Sequence, residues 1–186
     1  MKLKKISAVL SLLSIAALLL HVGYTVFAYL TFYYNPILKL WMSVPFMVLV
    51  CLHAVCGMTA VFLQADGTRL DLYSKHNIGT VIQRLSAALI FPLLILHLNT
   101  YGLLSSMAES RKWFLFVLLL LSQPLFYGTI LAHIAVSLSR AMITLGWLTS
   151  MDMKKKIDRI VYAVCTVIFL ISVFSIIKGQ LVMFIQ

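Results

Sequence analysis

Five stretches of this chain carry no Asp, Glu, Lys or Arg over a length that can cross a lipid bilayer: Ile6–Leu38, Leu40–Ala65, Leu85–Ala108, Trp113–Ser139 and Ile160–Ile177. A helix rises about 1.5 Å per residue and hydrocarbon is about 30 Å thick, so roughly 20 apolar residues make one crossing. Lipid offers no partner to an unpaired backbone N–H or C=O, which makes the helix the required form for each stretch. The sequence therefore predicts an all-α integral membrane protein. It reads as a single transmembrane domain over residues 1–186, with helices at approximately 7–33, 40–65, 82–108, 113–139 and 158–183.

Composition narrows the function classes. A chain that is 62% hydrophobic and 11% charged cannot clothe an ordinary soluble domain. Its net charge of +10 would suit nucleic acid, but the 15 Lys and Arg cluster between the apolar stretches, which is the pattern of membrane topology. Nucleic-acid binding is set aside. Cys51, Cys56 and Cys165 all lie in apolar runs without a CxxC pair, and they read as small core residues. The first apolar run continues from Ile6 through Val22 to Tyr34 with no small-residue cleavage site, so it reads as a retained span and not as a secretory signal.

Breakers separate the spans: Asn35-Pro36, Asp66-Gly67, Glu109 to Lys112, and the Lys154–Lys156 run. Counted on alternate sides, Lys2, Lys4, Lys5, Arg69, Lys75, Arg84, Arg140, Lys154, Lys155, Lys156 and Arg159 face Lys39, Arg111, Lys112 and Lys178. The positive-inside rule then predicts a multi-pass protein of the cell's inner (cytoplasmic) membrane, with its N-terminus cytoplasmic and its C-terminus outside. Both cytoplasmic connections, Asp66–Arg84 and Arg140–Arg159, are too small for catalytic domains but large enough to dock a partner.

Four of the five histidines fall inside the first four spans: His21, His53, His97 and His133. Ionisable groups are costly in hydrocarbon and are kept where they face protein and have a partner. At about 1.5 Å per residue, His21 and His97 lie roughly 20 Å from the cytoplasmic starts of their charge-free helices, while His53 and His133 lie roughly 16 and 10 Å from theirs. The four sort into two levels. In an up-down bundle of the first four helices, the diagonal pairs would face each other, as a haem with two axial imidazoles requires. The expected cofactors are two haem b groups, with the four histidines as iron ligands.

Neighbouring residues fit that reading. Gly57, one turn from His53, would let a flat macrocycle approach the backbone. Arg140, two turns after His133, and Arg84 are candidates for haem propionates or for ordinary positive-inside anchors. Tyr101, one turn beyond His97, is a candidate hydrogen-bond donor to the outer propionate. Membrane histidines also serve as interhelical hydrogen-bonding residues or proton relays, and both readings stay open. Zinc is disfavoured, because two histidines per level without a carboxylate or placed thiolate leave tetrahedral coordination incomplete. His76, among Lys75, Asn77 and Asp71, reads as a surface residue, and Glu109 as a solvated interfacial charge.

With these residues in view the chain resembles the dihaem cytochrome b subunit of succinate dehydrogenase and fumarate reductase, the five-helix anchor of succinate:quinone oxidoreductases. The resemblance rests on His53-Ala54-Val55-Cys56-Gly57, on Gln83-Arg84-Leu85-Ser86 followed by His97-Leu98, on Ser11-Leu12-Leu13 leading to His21, and on the late His133. It implies a proximal haem between His53 and His133 and a distal haem between His21 and His97. It further implies an iron-sulfur subunit and a flavoprotein subunit on the cytoplasmic face, with quinone or quinol as the carrier in the surrounding membrane lipid. The chain departs from the family at Ala87, where glycine is frequent. It also has no carboxylate between Leu40 and Pro45, where some quinol-oxidising members keep one. Two other readings compete: a cytochrome b subunit of a hydrogenase or formate dehydrogenase, and a haem-free transporter or assembly protein.

Overall fold

The computed structural model describes residues 2–64 and 78–185, and among these it is wholly helical outside three short turns. In order come α1 (Lys2–Thr31), α2 (Pro36–Gln64), α3 (Ile78–Glu109), α4 (Trp113–Leu145) and α5 (Met151–Ile185). All five are long and apolar enough to cross a membrane, which makes this a multi-pass membrane protein.

Apart from the far end of α1, which stops at Thr31 short of the expected 33, most helix ends outrun the charge-free stretches that announce them. Lys and Arg are good helix formers, and their stems carry the charge out to the interface, so a helix continues past its apolar run until a true breaker stops it. Consequently α5 begins at Met151 instead of 158, α4 runs on to Leu145, and α3 begins at Ile78 instead of 82. The expected docking connection Arg140–Arg159 is therefore mostly helix, and only residues 146–150 join α4 to α5. The connection between α2 and α3, with Arg69, Lys75 and His76, lies outside the described residues.

Local chemistry explains each turn. Asn35 caps α2, its Oδ1 accepting from the N–H groups of Ile37 (3.0 Å) and Leu38 (3.1 Å), and Pro36 occupies the first helical position, where no N–H is needed. Tyr24 clamps the same turn: its hydroxyl donates to the Asn35 carbonyl at 2.9 Å and accepts from the Asn35 N–H at 2.8 Å. At the close of α4, Gly146 takes φ 81°, a left-handed conformation open to glycine, and Trp147 N–H returns to the Met142 carbonyl. Ser150 then caps α5 by accepting from the Met153 N–H at 3.1 Å.

These tight turns make α1/α2, α3/α4 and α4/α5 antiparallel neighbours. One end of the molecule carries Lys4, Lys5, Arg84, Arg140 and Lys154–Arg159, and is called here the basic end. Besides its hairpin partner, α4 packs against α1 and α5, and α5 also lies on α1. Among the described residues α2 and α3 make no contact with each other, and α2 packs against α1 alone. The tightest apolar core lies at the opposite end, where Leu104, Phe116 and Leu120 are buried with Phe184 packed on them. Of the cysteines, Cys165 is buried and Cys56 half-buried, but Cys51 is exposed on the outer surface and is not a core residue as its apolar setting suggested.

Candidate functional site

Each of the four spanning histidines is held through Nδ1 by the other helix of its own hairpin. On α2, His53 Nδ1 lies 3.1 Å from the Ser7 carbonyl of α1, with Ser7 Oγ at 3.4 Å. On α1, His21 Nδ1 meets Ser43 Oγ of α2 at 3.1 Å. The second hairpin repeats the scheme. On α4, His133 Nδ1 lies 3.1 Å from both the Gln83 carbonyl and Ser86 Oγ of α3. On α3, His97 Nδ1 lies 2.7 Å from Gln123 Oε1 of α4.

These partners decide the tautomer. A carbonyl oxygen only accepts, so Nδ1 of His53 and of His133 must donate. The amide nitrogen of Gln123 donates to Thr100 Oγ1 at 2.7 Å, so its Oε1 is the acceptor and Nδ1 of His97 donates as well. An imidazole protonated on Nδ1 keeps its lone pair on Nε2. Among the described residues no hydrogen bond is made to any of the four Nε2 atoms. A ring anchored by one nitrogen and basic at the other is what a metal-ligating histidine needs from its surroundings.

Proximity then pairs the rings across the two hairpins. His21 and His97 lie within electrostatic reach of each other, and so do His53 and His133. Along the helices, His21 is 19 residues from Lys2 and His97 is 19 from Ile78, which places both about 28 Å from the basic end, deeper than the charge-free stretches suggested. His53 and His133 are 11 and 12 residues from the ends of α2 and α4, about 16 and 18 Å. All four are half-buried and not fully enclosed, as expected where α2 and α3 stand apart.

The two levels differ in their surroundings. His21 stacks on Phe46 with ring centroids 5.7 Å apart, and His97 has Phe126 at 4.8 Å and Tyr127 at 5.9 Å. Lys39, over the Tyr34 ring at 5.6 Å, is close enough for its charge to act on both His21 and His97. At the basic end Arg140 Nη1 donates to Thr80 Oγ1 (2.8 Å) and Gln83 Oε1 (2.9 Å). Gln83 thus joins Arg140, through its side chain, to His133, through its carbonyl. The same guanidinium lies over Gly79, where an added Cβ would come within 2.9 Å of it.

Of the other candidates, Gly57 leaves open space beside α2, since a Cβ there would meet only Ser7 Oγ at 4.0 Å. Arg84 is half-buried on α3 next to Gln83. The ring of Tyr101 rests against Phe184 of α5 at 5.6 Å, and the aromatic neighbours of His97 come from α4 instead. Glu109 is exposed and accepts from Ser105 Oγ at 3.0 Å.

The residues that sequence reasoning passed over are the anchors Ser7, Ser43 and Gln123, and Lys39. A trace of them was present: Ser43 precedes His53, and Gln123 precedes His133, by the same ten positions, and each lies within two residues of a helix-interior proline, Pro45 or Pro124. What such a polar residue holds is settled by the register of the hairpin and not by its own helix.

Among the described residues no three of His, Cys, Asp and Glu converge on one point. The donor set is two imidazoles at each of two levels, with polar anchors behind the rings and apolar helices around them. Such a set fits a planar macrocycle whose metal needs one ligand on each face. No family model, no curated protein and no solved structure matches the chain.

Proposed function

We propose that this chain is a membrane cytochrome b that holds two haem b groups, one between His53 and His133 and one between His21 and His97. The observation that carries the reading is the fourfold anchoring: every spanning histidine is fixed through Nδ1, every Nε2 lacks a hydrogen bond among the described residues, and the rings pair across the hairpins. When bound, bis-imidazole haem supplies one-electron transfer with no coordination position open to substrate.

The chain's own residues supply the rest. Ser7, Ser43, Gln83, Ser86 and Gln123 fix ring orientation, and for His53, His97 and His133 they also fix the tautomer. Arg140 and Thr80 hold the Gln83 side chain at the basic end, and the guanidinium keeps further N–H donors for a carboxylate.

The resemblance to the dihaem anchor of succinate:quinone oxidoreductases extends the proposal. The chain passes electrons between quinone in the bilayer and an iron-sulfur and flavoprotein pair docked at the basic, cytoplasmic end, while dicarboxylate chemistry belongs to those partners. The concentration of Lys and Arg at that end supports the orientation.

The decisive experiment is a reduced-minus-oxidised spectrum and a haem count on the purified full-length chain. A b-type alpha band with two haems per chain is expected. A spectrum without that band would leave the same hydrogen bonds as helix-to-helix ties in a haem-free protein. Copurification with an iron-sulfur subunit tests the partner, separately from the cofactor.

A further inference from the structure

Helices α3, α4 and α5 border an open apolar groove of about 580 Å³, which is lined in part by Ser86, the hydroxyl beside His133. Ile82, Leu85 and Leu89 of α3, Leu125 and Ala132 of α4 and Phe169 of α5 form most of its wall. A second hollow of about 290 Å³ continues it along α4 and α5, sharing Gly128, Ala132 and Phe169 and reaching Tyr162. Helix α3 barely touches α5, so the floor is α4 and the groove opens outward to lipid.

The α5 wall of this groove does not end at the apolar residues. Tyr162, Thr166 and Phe169 repeat at helical spacing, and the same stripe continued toward the basic end falls on Arg159 and Lys155. At 100° per residue these five positions share a sector of about 80°. Lys155 and Arg159 are exposed and form no ion pair among the described residues. The nearby Asp158 is engaged by Lys154 at 2.5 Å, and Asp152 lies in the first turn of α5. Two cations therefore lie on the same face of α5 as the groove wall, one and two turns beyond Tyr162 toward the basic end.

We propose that this groove is a binding site for one anionic phospholipid, its phosphate held by Lys155 and Arg159 and an acyl chain laid along α4 between α3 and α5. Phe169 is 14 residues from Lys155, a rise of about 21 Å, which is the reach of an acyl chain and not of a headgroup. The charge and the groove argue for the same occupant. An acidic soluble partner would use the cations but not a groove that runs down into hydrocarbon, and a neutral lipid would fill the groove but leave the cations idle. Lys and Arg near an anionic lipid surface strengthen its binding. The groove shares Ser86 with the His133 anchor, but the lipid proposal invokes no bound haem, so the two readings are tested separately.

The test is a titration of the delipidated full-length chain with phosphatidylglycerol and with phosphatidylcholine, counting bound lipid by native mass spectrometry. The native chain is expected to hold one phosphatidylglycerol more tightly than phosphatidylcholine. Lys155→Gln with Arg159→Gln, both at exposed positions, is expected to weaken phosphatidylglycerol about 25-fold, the equivalent of about 2 kcal/mol, and to weaken phosphatidylcholine, whose phosphate is offset by its own choline, much less. Ala132→Phe, which fills the groove from an exposed position, is expected to weaken phosphatidylglycerol as well. Lys4→Gln with Lys5→Gln removes equal charge from α1 at the same end and is expected to change nothing. Equal binding of the two lipids, equal loss in the α1 control, or full binding by Ala132→Phe would each overturn the site, the last in favour of a docking surface for an acidic protein.

Discussion

Nearer the basic end, His53 and His133 lean on main-chain carbonyls, those of Ser7 and Gln83, with a serine hydroxyl beside each. Farther away, His21 and His97 lean on side chains alone, Ser43 Oγ and Gln123 Oε1, and are walled by Phe46, Phe126 and Tyr127. A carbonyl is present whatever the residue, so the first pair is secured by the path of the backbone. The second pair is secured by two replaceable groups. The same two hairpins thus carry one level that substitution can hardly loosen and one that it can tune. Interhelical side-chain bonds in membranes average about 0.6 kcal/mol, so four of them are modest as glue and matter more for orienting the rings.

The largest effect expected from this contrast is on haem content. On the proposed reading, His133→Ala should take the purified chain from two haems to one and leave the His21/His97 level spectrally intact, and His97→Ala should do the converse. Loss of both haems from either single variant would show that the levels are not separate sites. Next comes Gln123→Leu. Gln123 is 1% exposed, and the change removes the acceptor of His97 together with the donor to Thr100, so haem retention at that level should fall about 10- to 100-fold. Retention of the other haem, followed in the same chelation or competition assay, should stay as it was.

Ser43→Ala should weaken the same level less, by about 10-fold, since it removes one neutral bond to His21. Ser86→Ala should come close to no effect, because the Gln83 carbonyl still accepts from His133. A large loss from Ser86→Ala, with Ser43→Ala silent, would invert the comparison. The smallest change concerns potential and not occupancy. Lys39→Gln removes a positive charge near His21 and His97, which disfavours the reduced haem there and should lower its midpoint by some tens of millivolts. Redox titration of both haems checks this: the His53/His133 level should not move.

Much of this architecture was legible in the chain. Long uncharged runs can only be helices in lipid, and Asn35-Pro36 marks a turn by its own backbone chemistry, whereas Gly146, which closes α4, was passed over in favour of the Lys154–Lys156 run. The helix ends were less legible, because a lysine such as Lys155 looks like a connection in a hydropathy reading yet extends a helix comfortably. The site divides in the same way. That His21, His53, His97 and His133 form two levels follows from counting residues along helices, since a rigid rise of 1.5 Å converts position into depth.

What no counting along one helix could supply is lateral: that Ser7 reaches His53, that Gln123 reaches His97, that Lys39 comes near two histidines, and that α2 and α3 stand apart. Those facts depend on how each helix is rotated about its axis and slid past its neighbour. Both are fixed by side-chain packing between segments far apart in the chain, and a single helix's sequence constrains them only weakly. Depth was written in the sequence, whereas the hydrogen bonds that make four histidines into two anchored pairs were decided by the tertiary fold.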